Sequence, residues 1–290
     1  MLANTAVLLD HVREPMGSDA VVMENEELEL LRKRCAALED ELESRRLAQK
    51  QRLRIAADVH RSLLPGPVRH DRIWIDVRYN PIEEVGGDYC QVRFPDRNTC
   101  YITMSDVMGH GVGAALLATR VSSEVLHAIM YRREPREIVG MLERFTLEYF
   151  RHTGLFLTFV AAMINLDRGE LSWSGSGHPS PFLLRPGADE PLYLRPQNSV
   201  IGLGITNEDD AVQDTVALED GDRLFLFTDG LFEVLDAEQR QLGIPGFADV
   251  AKTTMKRDLF DVADGVLETI HSYQHGPDTD DQTLIVAELR

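Results

Sequence analysis

The sequence predicts an α+β layered sandwich preceded by one long helix, and three observations carry that expectation. Between residues 25 and 64 there is no Gly or Pro, and Glu, Leu, Arg and Ala dominate, the composition of an uninterrupted helix. From residue 65 onward, short β-branched and aromatic runs follow one another too closely for crossover helices, which favours antiparallel pairing. Helical patterns fall in blocks between groups of strands, unlike the strict alternation of a doubly wound parallel sheet.

Residues 1–24 precede the helical pattern and are expected to be disordered, residues 25–64 to form a coiled-coil or linker helix, and residues 65–290 to form the folded domain. At 1.5 Å per residue the helix would reach roughly 60 Å. Leu28, Leu31, Cys35, Leu38 and Leu42 keep the 3-4 spacing of a coiled-coil seam, so a homodimer through this helix is expected; the alternative is a single helix folded back on its own domain. Past Leu42 the same register meets Arg45, Gln49 and Arg52 before apolar positions return at Ala56, Val59 and Leu63, a weakening that suits a two-state element. Pro65-Gly66-Pro67 ends the helix by removing the donors of the next turn. The residues ahead of the helix are fewer than the roughly 50 of a small sensor domain, so regulatory input is expected from a separate protein or from helix pairing. Strands are predicted over 73–80, 89–94, 99–105, 159–166, 171–174, 181–184, 223–227 and 283–288, and helices over 110–131, 135–152 and 257–273.

The 290 residues, 43% of them hydrophobic, can bury a substantial core. A formal charge of −18 argues against nucleic acid or an anionic membrane as partner, since phosphate surfaces require clustered Lys and Arg. Cys35, Cys90 and Cys100 form no C-x-x-C pair, so neither a disulfide framework nor a zinc site is expected. The opening residues lack a basic segment and are interrupted by Asp10, and no apolar run approaches the roughly 18 residues of a membrane span. A cytoplasmic location is expected.

Chemistry concentrates in aspartates at the ends of apolar runs: Asp88 in Val85-Gly86-Gly87-Asp88, Asp106 after Ile102-Thr103-Met104-Ser105, Asp229 in Thr228-Asp229-Gly230, and Asp280 in Asp280-Asp281-Gln282-Thr283. Carboxylates brought together repel unless a cation lies between them, and hard oxygen donors without clustered Cys or His select magnesium or manganese. The loop Ser105-Asp106-Val107-Met108-Gly109-His110-Gly111 leaves a strand and enters an Ala-rich helix, its glycines permitting a sharp bend and close approach to a ligand. It is neither a P-loop nor a dinucleotide-binding turn.

Together with Ser176-Gly177-His178-Pro179-Ser180-Pro181 and Gly202-Leu203-Gly204, these segments in this order resemble the motif set of PPM-type metal-dependent serine/threonine protein phosphatases, and within them the bacterial SpoIIE/RsbU-like branch. The resemblance runs from about residue 80 to the end and includes the preceding helix with its Leu63-Leu64-Pro65 ending. It implies an α/β/β/α sandwich of two antiparallel sheets flanked by helices, with two divalent ions, Mn2+ or Mg2+, at one end of the sheets. It further implies Asp106 as bridging ligand, Val107 as a carbonyl ligand, and Asp88, Asp229 and Asp280 completing the site directly or through water. Gly87, Gly109, His110, Gly111, His178 and Asp281 would support it. The reaction implied is hydrolysis of phosphoserine or phosphothreonine by metal-activated water, with no covalent phosphoenzyme. The implied substrate is a phosphorylated anti-sigma-factor antagonist of a partner-switching pathway.

Each residue also has a plainer reading. Asp229 could cap a strand in a turn, and Asp280 or Asp281 could be solvated. His110 could be a general acid, although in eukaryotic relatives the acidic histidine would align nearer Met108. His178 could order a turn. Ser176, His178 and Asp229 have the residue types of a hydrolytic triad, but no nucleophile elbow surrounds the serine. Tyr89, Cys90 and Gln91 replace the aromatic pair and acid that many members carry there, and no arginine matches the phosphate-binding one of eukaryotic enzymes. The alternative function is a catalytically silent, phosphatase-like signalling adaptor.

Overall fold

The computed structural model describes residues 18–290 apart from His110, with side chains from Leu28 onward except those of Gln49 and Arg52. Of residues 1–24, for which disorder was expected, 1–17 lie outside the described residues and 18–24 form the start of the first helix. In chain order the elements are α1 (Ser18–Leu63), β1 (Val68–Arg69), β2 (Ile73–Asn80), β3 (Asp88–Asp96), β4 (Thr99–Val107), α2 (Val112–Met130), α3 (Pro135–Tyr149), β5 (Leu157–Asn165), β6 (Glu170–Ser176), β7 (Phe182–Leu184), β8 (Leu192–Tyr193), β9 (Asp214–Ala217), β10 (Arg223–Phe227), α4 (Gly243–Thr253), α5 (Leu259–Tyr273) and β11 (Gln282–Leu289).

Two compact units divide the chain after Leu53. In the first, Leu28, Leu31, Leu38 and Leu42 are exposed, as is Cys35. The second contains the rest of α1 and both sheets. One sheet has the order β1-β2-β11-β10-β7-β8, the other β3-β4-β5-β6-β9, and every pairing of neighbouring strands is antiparallel. Three apolar layers hold the unit together. Ile73, Ile75 and Ile285 of one sheet meet Cys90, Ile102 and Val160 of the other between the sheets. Leu117, Val121 and Val125 of α2 and Ile138 and Leu142 of α3 cover the five-stranded sheet at Tyr101 and Phe159. Phe247 of α4 and Val262 and Val266 of α5 cover the other at Phe225, Phe227 and Val286. The result is an α/β/β/α sandwich.

Several local outcomes differ from the sequence expectation, among them the short strands β1, β8 and β9, which were not predicted. α4 was not predicted, because Gly243, Pro245 and Gly246 read as breakers, yet proline is tolerated in a first turn where its missing N–H has no helical partner. Val112–Met130 is, by length and composition, apolar enough to cross a membrane, contrary to the expectation that no such stretch exists; its apolar face is the one packed on the five-stranded sheet. At the end of α1 the expected positions Ala56 and Val59 are exposed, and Ala57 and His60 are the buried ones. Ala57 clusters with Val85 and Ala115.

Gly140 lies inside α3, where alanine is ordinarily better than glycine by about 1 kcal/mol. Here a Cβ would strike the backbone of Glu208, so Gly140→Ala should lower the urea midpoint, equivalent to a loss of about 1–3 kcal/mol. A raised midpoint would refute this packing.

Candidate active site

Both sheets deliver carboxylates to one place. Asp88 opens β3 directly opposite Asp106 near the end of β4; Asp229 follows β10 across Thr228, and Asp280 lies just before β11. Facing residues of an antiparallel pair have Cβ atoms about 5 Å apart, where like charges are destabilising. Asp88 is 2% exposed, and its Oδ2 accepts the hydroxyls of Thr228 at 2.8 Å and Thr283 at 2.6 Å. Burial first, then Asp106, pushes the Asp88 carboxyl well above its ordinary range, while the two threonine hydroxyls pull it back.

Asp106 is pushed up to about 7 by burial and then by Asp229, Asp280 and Asp281. Asp229 is pushed up to about 6 by burial, then by Asp280 and Glu233. Among the described residues, the groups acting most strongly on these three are other acids, hydroxyls and backbone; no Lys or Arg is among them. Also among the described residues, no three His, Cys, Asp or Glu side chains close on one point as a preformed cage. Such a cage is not what magnesium-like ions require, since they take one or two carboxylates and retain several waters. The donor set of acid oxygens fits a hard divalent ion.

Glycines create the close approaches. A Cβ on Gly87 would stand 2.7 Å from the Val107 carbonyl oxygen and 3.0 Å from that of Gly109, so only glycine lets this stretch lie against the Asp106 loop. Gly109 and Gly111 have φ of +86° and +83°, the left-handed region that other residues avoid. His110 between them lies outside the described residues.

Asp281 is a backbone clamp. Its Oδ1 accepts from Ile82 N at 2.8 Å, its Oδ2 from Gly87 N at 2.9 Å, and its own N–H donates to Asp280 Oδ1 at 2.8 Å. A Cβ on Gly86 would strike its carboxylate, and one on Gly230 its backbone carbonyl. His178 is buried, its Nδ1 2.9 Å from Thr158 Oγ1. Burial lowers its pKa to about 3, so at neutral pH it carries no extra proton to give and ties the Gly177-His178-Pro179 turn to β5. It does not complete a triad: among the described residues Ser176 Oγ has no hydrogen-bond partner.

Sequence reasoning gave no role to Thr228 and Thr283, although both stand inside the motifs that carry Asp229 and Asp280. Tyr79 went unnoticed. Its buried hydroxyl sits beside the place a Gly86 Cβ would occupy, and burial followed by Asp281 and Asp88 raises its pKa.

A family model described as Stage II sporulation protein E (SpoIIE) matches residues 96–290, about two thirds of the chain. The chain belongs to the SpoIIE family. It is a PPM-type phosphatase of the SpoIIE/RsbU-like branch. Two Bacillus subtilis (strain 168) relatives are phosphoserine phosphatase RsbU, 26% identical over 238 residues covering 82% of this chain and 70% of that one, and phosphoserine phosphatase RsbP, 27% identical over 193 residues covering 65% and 47%. The chain thus spans about half the length of RsbP. The SiaA PP2C domain of Pseudomonas aeruginosa superposes with a TM-score of 0.72 at 22% identity, over 84% of this chain and 99% of that domain, which establishes the shared fold.

Raised folded-state values for Asp106 and Asp229 mean that this SpoIIE-family chain, free of metal, binds more protons folded than unfolded between the ordinary carboxylate value near 4 and about 7. Its stability should therefore fall as pH rises through that window. Manganese, competing with protons for the same oxygens, should raise the melting temperature by more at pH 7.5 than at pH 5.5. Asp106→Asn should raise the metal-free melting temperature at pH 7.5 by a few degrees. Equal manganese shifts at the two pH values would count against shared oxygens.

Proposed function

We propose that this SpoIIE-family phosphatase hydrolyses phosphoserine or phosphothreonine on a protein, using two divalent ions, Mn2+ or Mg2+, held by Asp88, Asp106, the Val107 carbonyl, Asp229 and Asp280. The observation that carries the reading is the acid cluster contributed by both sheets, in which burial and then neighbouring acids push up the carboxyls of Asp88, Asp106 and Asp229, with no basic side chain among the strongest influences on them. The catalytic domain of PstP, which shares this fold at a TM-score of 0.52, was solved with two manganese ions. Bound here, such ions supply Lewis acidity toward water and neutralise phosphoryl charge.

The chain's own residues do the positioning. Thr228 and Thr283 fix the rotamer of Asp88 through Oδ2, so its carboxylate is oriented before any ligand arrives. Asp281, with both oxygens taken by amides, keeps the Gly86-Gly87 turn against Val107. His178, neutral and bonded to Thr158, is a scaffold member, and no general acid is assigned to it.

The substrate we assign is a phosphorylated anti-sigma-factor antagonist of a partner-switching pathway, on the strength of the similarity to RsbU. The adaptor reading is disfavoured because a domain that only binds a partner gains nothing from converging acids. Phosphate release from such a phosphoprotein should require manganese, cease with chelator, and fall on the order of 10²–10³-fold in Asp106→Asn. Turnover persisting in chelator would refute the mechanism, and calorimetry showing no ion binding would favour the adaptor.

Regulation is assigned to α1, whose exposed Leu28, Leu31, Leu38 and Leu42 form the seam of a homodimer, with a separate regulatory protein as input. Its last turns touch the site's framework: Ala57 packs with Val85 and Ala115, His60 lies 5.8 Å from the Tyr79 ring and 6.1 Å from that of Tyr89, and Tyr89 Oη donates to Leu63 O at 3.2 Å. Leu31→Asp combined with Leu38→Asp should halve the mass measured by light scattering. The same mass for both chains would exclude this seam.

A further inference from the structure

The Gly202-Leu203-Gly204 motif takes no part in the metal site, yet it is held unusually firmly. Glu143 of α3 is 3% exposed, and its two carboxylate oxygens are spent on this loop: Oε2 accepts from Gly202 N at 2.6 Å and Oε1 from Gly204 N at 2.7 Å. Gly202 and Gly204 have φ of +98° and +72°, and a Cβ on Gly202 would meet Thr146 at 3.0 Å. One buried side chain thus holds two backbone N–H groups of the loop, which is fixed from beneath. What it presents to solvent is apolar: Leu203 is 50% exposed and Ile205 64%.

This loop lies at the same sheet end as Asp106. Val107 pairs with Leu157 in the β4–β5 ladder, Met108 N donates to Phe156 O at 3.0 Å, and Leu157 and Ile201 exchange both backbone bonds at 3.1 and 3.0 Å. Three extended segments therefore stand side by side, at 107–108, 156–157 and 201. With about 4.8 Å between neighbours, Ile201 is roughly 10 Å across from Val107, the reach of about three residues of extended chain. Met108, 43% exposed, is at the near end of that path and Leu203 at the far end. Exposed apolar residues on a firmly held loop, at the sheet end that carries Asp106, have the character of a docking anchor.

We propose that Leu203, with Met108, is the specificity anchor for the substrate polypeptide, taking an apolar side chain about three residues from the phosphoserine, and that Glu143 is the positioning residue that holds this anchor in place. The occupant is the phosphoprotein itself, because Met108 stands two residues from Asp106 and the paired segments lead from there to Leu203; the proposal rests on the phosphatase reading above.

The test uses the full chain with manganese and two phosphoserine peptides, one with leucine three residues to either side of the phosphoserine and the other with serine there, alongside p-nitrophenyl phosphate. The unaltered chain should favour the leucine peptide on the order of tenfold in kcat/KM, through KM. Leu203→Ser should erase that preference, and Glu143→Gln, whose amide cannot accept from both glycines, should reduce it. Equal efficiency on the two peptides, or an undiminished preference in Leu203→Ser, would overturn the anchor while p-nitrophenyl phosphate turnover left the phosphatase reading standing. Absence of turnover of all three substrates by the unaltered chain would overturn both.

Discussion

Repulsion among converging carboxylates, Asp88 buried, Asp106 and Asp229 half-buried and Asp280 exposed, is the constraint on which this structure turns. Asp88 and Asp106 face each other across one ladder, and Asp229 and Asp280 come in from the other sheet. A sequence that wanted only a stable sandwich would put apolar residues or opposite charges at these strand ends. The chain instead satisfies Asp88 with two threonine hydroxyls and leaves Asp106 and Asp229 raised to about 7 and about 6. Stability is given up locally to hold these acids together, the usual relation between strained electrostatics and function, and the proposed cation would recover it.

The surrounding architecture follows from that choice. Acids from two sheets can meet only if the sheets are locked in slide and twist, and two kinds of contact lock them at this end. Thr228 and Thr283 bind Asp88 across the gap between the sheets, and Asp281 reaches over to the amides of Ile82 and Gly87. Neither contact tolerates bulk, which is why Gly86, Gly87 and Gly230 stand where a methyl group would strike Asp281 or Val107.

Legibility in the sequence tracked how local each signal was. The two antiparallel sheets, their principal strands and the blocks α2, α3 and α5 were readable because period-2 and period-3.6 patterns are written in consecutive residues. β9 was not, being a short edge strand with little burial to impose a pattern, and α4 was hidden by its glycines and proline. The acids of the site were visible as motifs. Their partners were not: Thr228, Thr283 and Tyr79 acquire meaning only when the sheets are stacked, and Glu143 looks in sequence like any solvent-facing helical glutamate. At the end of α1 the apolar stripe misled, since exposed Ala56 and Val59 carry the pattern while Ala57 and His60 make the contacts.

His60 shows how the helix end and the site share one mechanical unit. Its ring sits near Tyr79 of the six-stranded sheet and Tyr89 of the five-stranded sheet. Burial lowers its pKa, while Asp281 acts in the opposite sense. Ala57, one turn earlier, touches Val85 just before the Gly86-Gly87 turn and Ala115 at the start of α2, so the same two turns of helix rest on segments flanking Asp88 and Asp106. Close-packed interfaces shift between discrete arrangements rather than deforming smoothly. A rotation or slide of this helix end would therefore be felt at the segments that carry Asp88 and Asp106, the facing acids of one ladder, and through Val85 and Tyr79 at the contact between the two sheets, which is how it would reach the proposed cation site.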